Sequence, residues 1–279
     1  MKKIENAFDE VAKIVKKNIV VQNSSVNCSI CGEEVKAIKL DIPGLQIERW
    51  VQPKCKCEVE AFDKEQLAFQ RKTEELEVRK LFSISQLGEK LSSASFNNFQ
   101  IRSGSEIAYK ASKNYCDGFN PKNPTALILW GEPGNGKSLL AACVNNELQK
   151  NGHTTIFVSM PDLLTKIKQT FNNDRENEEQ ILKALDICDL LIIDDLGAEK
   201  TSDWVEETIF KIIDNRYRKK KPILITSNVS PYELSKKIGS RSTDRILEMC
   251  IEIKNDAKSY RTQKAQSMKD AMLKKLMEG

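Results

Sequence analysis

The sequence predicts an α/β protein in which a mainly parallel sheet is flanked by helices, preceded by a small cysteine-bearing unit. Three observations predict it. Short apolar runs alternate with helical stretches in the second half of the chain, one of these runs leads through a glycine-rich loop into a helix, and two cysteine pairs lie near the N-terminus. Buried strands separated by helices call for parallel pairing with helices on both faces.

Taken in order, Ile4, Phe8, Val11 and Val15 recur at helical spacing, widened by Ala7 and Ile14, so residues 3–17 read as an amphipathic helix. The segment from Cys28 to Cys57 carries the turn signal Pro43-Gly44, and the alternating Leu45, Ile47 and Val51 suit a short hairpin. Residues 58–82 are charge-dense, with Phe62, Phe69 and Leu76 seven apart, and predict a long helix. From Leu87 to Ser105 the chain is rich in Ser, Asn and Gly. The expected division is therefore residues 1–84 as an N-terminal domain with its connecting helix, 85–104 as a linker and 105–279 as the α/β domain. The predicted strands are ALILW (126–130), TIFVSM (155–160), LLIID (190–194), ILITSN (223–228) and CIEI (250–253).

Composition narrows the function classes. Of 279 residues, 40% are apolar and 30% charged, a balance that argues against wholesale disorder. The net charge of +4, from 44 basic and 40 acidic residues, excludes a uniformly basic nucleic-acid binder, so any polyanion site is local. The opening MKKIENAFDEVAKIV is interrupted by Glu5, Asp9 and Glu10 and reads as neither signal peptide nor membrane span, and no membrane partner is expected. Eight cysteines in that context point to reduced thiols or metal ligands and to the cytoplasm.

Directly after ALILW comes GEPGNGKS, that is Gly131, Glu132, Pro133, Gly134, Asn135, Gly136, Lys137 and Ser138, and Leu139 continues into a helix. Strand, glycine-rich loop and helix in that order form a phosphate cradle, because backbone N–H groups and the helix N-terminus converge on anionic oxygens. Lys137 is expected at the β- and γ-phosphates of ATP or ADP and Ser138 at Mg²⁺. In LLIIDDLG a buried strand delivers Asp194, expected at Mg²⁺, and Asp195, expected to orient the attacking water; Glu199 is an alternative for the latter role. Asn228, ending ILITSN, is either a further contact to the γ-phosphate or water, or a turn residue.

Cys28 and Cys31 form a CxxC, and Cys55 and Cys57 form a CxC beginning 24 residues after Cys31. Four thiolates around Zn²⁺ would staple a segment too small to be stabilised by burial, with three-plus-one ligation or metal-free thiols as alternatives. Cys116, Cys143, Cys188 and Cys250 sit in apolar contexts and read as core, and His153 is assigned no chemistry.

Residues 95 to 265 resemble the AAA+ superfamily, and within it the DnaC/DnaI-type helicase loaders and the similar IstB transposition ATPases. The pieces that carry the resemblance are SFNNF (95–99), GEPGNGKS, LLIIDDLGAEK, WVEETIFKIIDNRY (204–217), ITSN, GSRSTDRI (239–246) and SYR (259–261). It implies an ATPase with a reduced lid. It also implies that Arg245, or next Arg241, reaches the γ-phosphate held by a neighbouring copy in a ring or spiral, and that Arg261 contacts phosphate within its own chain. Surface ion pairing of those arginines with Asp244 or Glu248 is the competing reading. The resemblance further implies single-stranded DNA at the segment 197–217, where Lys200, Lys211, Arg216 and the run Arg218 to Lys221 are candidate phosphate contacts, and a DnaB-type replicative helicase as partner of the zinc domain. The rival readings are an IstB-like transposition helper and an ATP-switch adaptor without hydrolysis.

Overall fold

The computed structural model describes residues 24–42, 47–82, 91–123, 125–170 and 175–278. The predicted helix over 3–17 and the Pro43-Gly44 turn lie outside these residues. The chain divides into two compact units, Met1–Lys72 and Thr73–Gly279.

In the first unit, β1 (Ser25–Asn27) pairs antiparallel with β2 (Glu34–Lys36), and β3 (Ile38–Ile42) pairs antiparallel with β4 (Ile47–Val51). The β3–β4 pairing runs from Ile38 opposite Val51 to Ile42 opposite Ile47, the hairpin that the alternation predicts. The helix α1 (Lys56–Leu81) begins in this unit and continues past its end. Glu58 in its first turn and Arg79 and Lys80 in its last complement the helix dipole.

The second unit is built on a five-stranded sheet of β5 (Ala126–Trp130), β6 (Thr155–Ser159), β7 (Leu190–Asp194), β8 (Ile223–Ser227) and β9 (Cys250–Lys254), in the order β6-β7-β8-β5-β9, all pairs parallel. Each predicted apolar run supplies one strand. Side chains alternate between faces, so Ala126 and Ile128 enter one core with Leu191, Ile193, Ile223 and Ile225, while Leu127 and Leu129 enter a second with Leu190, Ile192 and Leu224. Helices α2 (Glu106–Asp117) and α3 (Lys137–Lys150) contribute to the second core. Helices α4 (Met160–Gln169), α5 (Arg175–Ile187), α6 (Asp203–Arg218), α7 (Ser235–Ile238) and α8 (Ser240–Met249) contribute to the first, which Val78 and Phe82 at the end of α1 also join. The last helix, α9 (Tyr260–Glu278), leaves Met268, Met272, Leu273, Leu276 and Met277 exposed. Among the described residues no helix is long and apolar enough to cross a membrane.

The stretch 91–104, expected to link, packs against the sheet instead. Ala94, Phe96 and Phe99 are buried in the second core, and Tyr109 on α2 meets both phenylalanine rings at 5.7 Å. Its polar residues serve the turn: Asn98 Oδ1 accepts from Ser95 N–H at 2.9 Å, and Asn98 Nδ2 donates to Ser93 O at 2.9 Å.

Candidate functional site

The carboxyl ends of β5, β7 and β8 lie side by side, and residues 131–136 turn from β5 into α3. Two glycines in this turn are forced by close approach. A Cβ on Gly131 (φ +138°) would meet the Asn255 carbonyl oxygen at 2.5 Å, and one on Gly134 (φ +78°) would collide with the Ser259 hydroxyl. The loop is therefore pressed against the segment after β9. Asn135 Nδ2 donates to Asn255 O at 2.7 Å, and Tyr260 N–H donates to Gly134 O at 2.8 Å.

Lys137, only 4% exposed, opens α3 and turns its ammonium back under the loop. Its Nζ lies 2.9 Å from Gly131 O, 2.9 Å from Glu132 O, 3.2 Å from Asn135 Oδ1 and 2.9 Å from Asn228 Oδ1. Burial lowers its pKa to about 8, against the favourable charges of Asp195 and Asp194. Burial also pushes the Asp194 carboxyl above its usual range, opposed by hydrogen bonds from the Thr226 and Ser138 hydroxyls. The Thr226 hydroxyl donates to Asp194 Oδ1 at 2.5 Å and accepts from Asp195 N–H at 3.0 Å, which ties β8 to the end of β7. Asp195 adopts a left-handed φ of +54°, a conformation that costs energy for a residue other than glycine. Its Oδ1 accepts from Asn228 Nδ2 at 3.1 Å. Asn228 thus bridges Lys137 and Asp195 through the two ends of one amide. Glu199 folds back on its own loop, its carboxylate accepting from Gly197 N–H at 3.1 Å.

Lys137, Ser138, Asp194, Asp195 and Asn228 line a cavity of about 450 Å³ together with Pro133, Gly134, Asn135, Gly136, Leu139 and Arg261. Glu199 does not line it, and neither do Arg241 and Arg245, which lie on α8. Arg245 Nε donates to Asp214 Oδ1 at 3.2 Å and its guanidinium lies 4.7 Å from the Tyr217 ring, so its ion-pair partner is neither Asp244 nor Glu248. Arg102 and Tyr260 are cavity residues without a sequence signal that gives them a role. Arg102 donates to Asn135 O at 2.9 Å and to Lys258 O at 2.7 Å, with its guanidinium 5.2 Å from the Tyr260 ring. A triphosphate fits this cradle of a glycine-rich turn, a helix N-terminus and a buried ammonium. The Ser138 hydroxyl beside the Asp194 carboxylate is a hard-oxygen donor set that fits Mg²⁺.

Of the basic residues on and just after α6, Arg216 is placed otherwise than expected. Arg216 is 1% exposed and donates to the carbonyls of Leu185, Cys188, Asp189 and Pro222, so it cannot meet a DNA phosphate. Arg218 pairs with Asp214, Lys219 with Asp186 and Lys211 with Glu178, while Lys221 donates to Ile187 O. Charge density in the sequence concealed a buried staple joining α5, α6 and the entry to β8. Arg216→Ala is expected to cost at least about 3 kcal/mol of stability, since several buried carbonyls lose their donor. Chemical denaturation checks it, and a midpoint unchanged from wild type would refute the structural role.

In the first unit, the four predicted sulfurs come together. The Sγ atoms of Cys28, Cys31, Cys55 and Cys57 all lie within 4.8 Å of one another, with Cys28–Cys57 at 3.3 Å, Cys31–Cys55 at 3.5 Å and Cys55–Cys57 at 3.6 Å. A tetrahedral zinc site has sulfur edges of about 3.8 Å. All four cysteines are free thiols, and Ile30 N–H donates to Cys28 Sγ at 3.4 Å, a contact that favours thiolate. The backbone N–H groups of Cys31 and Ile30 lower the Cys28 pKa. The donor set fits Zn²⁺. Cys116, Cys143, Cys188 and Cys250 are buried, and burial raises each thiol above its usual range, as befits inert core residues.

A parallel sheet with its phosphate loop after β5, an acidic pair at the end of β7 and a polar amide after β8 defines a P-loop nucleotide-binding protein of the AAA+ class. The family model described as "IstB-like ATP binding protein" matches residues 63–268. The replicative helicase loader DnaC of Escherichia coli (strain K12) is 31% identical over 195 residues, 68% of this chain and 79% of that protein. The DnaC of Buchnera aphidicola subsp. Baizongia pistaciae is 34% identical over 181 residues, 64% of this chain and 73% of its own length. A crystal structure of the DnaC helicase loader superposes with a TM-score of 0.56 at 26% identity, covering 61% of this chain and all (100%) of that one. The chain belongs to the IstB-like ATP-binding family, in its DnaC-like branch.

Proposed function

We propose that this chain loads a hexameric replicative helicase of the DnaB type onto single-stranded DNA in the cytoplasm, under the control of ATP binding and hydrolysis. The observation that carries this reading is the relation to DnaC, which spans 79% of that loader's length and contains the nucleotide cavity. In this reading the N-terminal unit binds zinc and grips the helicase, and the α/β unit, which includes the packed stretch 91–104, binds nucleotide, DNA and further copies of the chain.

The residues divide the chemistry. Backbone N–H groups from Gly134 through the α3 N-terminus hold the phosphates, and Lys137 balances charge on the β- and γ-oxygens. Bound Mg²⁺, held by Ser138 and Asp194, would neutralise phosphate charge. Asp195 orients the attacking water; its hydrogen bond from Asn228 and its place in the cavity favour it over Glu199. Arg261 contacts phosphate in the same chain, and Arg245 reaches a neighbour's γ-phosphate, so turnover requires assembly and is stimulated by DNA and helicase.

The test is loading onto a covalently closed single-stranded circle, read as displacement of an annealed oligonucleotide by the replicative helicase of the same source. Displacement should require the full-length chain and ATP and fail with Lys137→Ala. ATP turnover stimulated by duplex DNA, with no helicase captured, would mean a transposition helper. Loading at wild-type rate without phosphate release would mean an ATP switch.

A further inference from the structure

Helices α6 and α8 lie against each other in a ladder of three side-chain contacts. Phe210, Asp214 and Tyr217 on α6 meet Arg241, Arg245 and Glu248 on α8: Arg241 lies 5.9 Å from the Phe210 ring, Arg245 Nε is 3.2 Å from Asp214 Oδ1, and the Tyr217 hydroxyl donates to Glu248 Oε1 at 2.6 Å. Spacings of four and then three keep each set on one helix face. The Asp214 side chain is only 9% exposed, and each carboxylate oxygen serves one guanidinium, Oδ2 taking Arg218 Nε at 2.7 Å and Oδ1 taking Arg245 Nε.

The two arginines of α8 are held differently. Arg241 rests on an aromatic ring and has no carboxylate partner among the described residues. Arg245 is fixed at Nε by Asp214 and across its plane by the Tyr217 ring at 4.7 Å, while its two terminal nitrogens have no partner among the described residues. The side chain is 36% exposed. A guanidinium that reaches another molecule's phosphate needs that terminal fork free and its orientation already fixed. An exposed arginine without such anchors spreads over many rotamers.

We propose that Asp214 and Tyr217 are positioning residues for Arg245, holding its guanidinium by Nε and ring face so that the terminal fork is presented to a phosphate in a neighbouring copy. The inference rests on the reading of Arg245 as the residue that acts in trans. It also separates the two arginines, since Arg241 has no comparable anchor.

The test uses the full-length chain, with ATP turnover measured on single-stranded DNA and each variant's melting transition and nucleotide affinity measured alongside. Asp214→Ala and Tyr217→Leu should each lower turnover about tenfold or more, with nucleotide affinity within about twofold of wild type. Asp214→Asn, whose amide oxygen still accepts from Nε, should restore most of the rate. Mixed in equal amounts with Lys137→Ala, either deficient variant should regain turnover, as Arg245→Ala does, because an intact nucleotide site then meets an intact arginine. Mixed with Arg245→Ala, neither should. Wild-type turnover by both variants, weakened nucleotide affinity, or recovery with Arg245→Ala would overturn the positioning role. A fully active Arg245→Ala would instead sink the in-trans reading and the positioning role with it. If Asp214→Ala loses its melting transition, Tyr217→Leu and its mixing pattern decide.

Discussion

Lys137→Ala is expected to reduce ATP turnover by about a hundred- to a thousandfold, the loss seen when one preorganised charge-stabilising donor is removed. The ammonium sits beneath the loop with four oxygens around it, and those oxygens already occupy all three of its protons. An incoming phosphate must therefore take the ammonium from part of that set, and Asn228 is the partner that also holds Asp195. Phosphate release by the full-length chain measures the effect; a rate within tenfold of wild type would refute the assignment. The same residue predicts a pH signature. Burial lowers its pKa from 10.5 to about 8, so between those values the unfolded chain holds more protons and stability gains with rising pH from this group. Phosphate oxygens restore the charged form. Nucleotide binding at pH near 8.5 should therefore take up protons, affinity should weaken as pH rises through about 8, and the uptake should vanish near pH 6.5. Calorimetry in two buffers of different ionisation heat reads the uptake, and a buffer-independent heat at the higher pH would count against it.

Cys28→Ser is expected to remove zinc and the fold of the N-terminal unit together. Among the described residues of Met1–Lys72, the buried apolar side chains are Cys28, Ala37 and Cys55, two of which are sulfur ligands of the proposed site. The paired strands are only three and five residues long, and isolated hairpins of that size are marginal in water. Structural zinc supplies roughly 10–16 kcal/mol of binding free energy to small domains at neutral pH, more than so little burial provides. Zinc content should fall from about one per chain to none. Hydrogen exchange over residues 24–57 should rise to that of an unfolded segment, while nucleotide binding by the α/β unit persists. A metal-free wild-type chain with full protection in that segment would refute the reading.

Much of the α/β unit was legible because its signals are local. Each strand announces itself by a short run dominated by apolar residues, and the phosphate loop requires its glycines, lysine and serine at fixed offsets. Asp194 ends its strand and Asp195 follows directly. What sequence could not give depends on residues brought together by packing. Asp214 and Arg245 are 31 apart and meet only where α6 packs on α8, and Arg102 reaches Asn135 across 33 residues. Composition misled in two places. A run of basic residues concealed Arg216, whose charge is spent on buried carbonyls, and the polar stretch 91–104 used its Ser and Asn side chains to satisfy a turn while Phe96 and Phe99 entered the core.

The hydrogen bond from Tyr260 N–H to Gly134 O has a mechanical consequence. The first residue of α9 is hydrogen-bonded to the phosphate loop itself, and the helix runs from there for 19 residues, about 28 Å at the usual rise. A helix so anchored is a pointer: a tilt of about 10° at its base, forced by a loop that shifts around phosphate, displaces its far tip by about 5 Å. The occupancy of a cavity would then be legible at a distance, in the sweep of a rod whose exposed methionines and leucines mark the moving end.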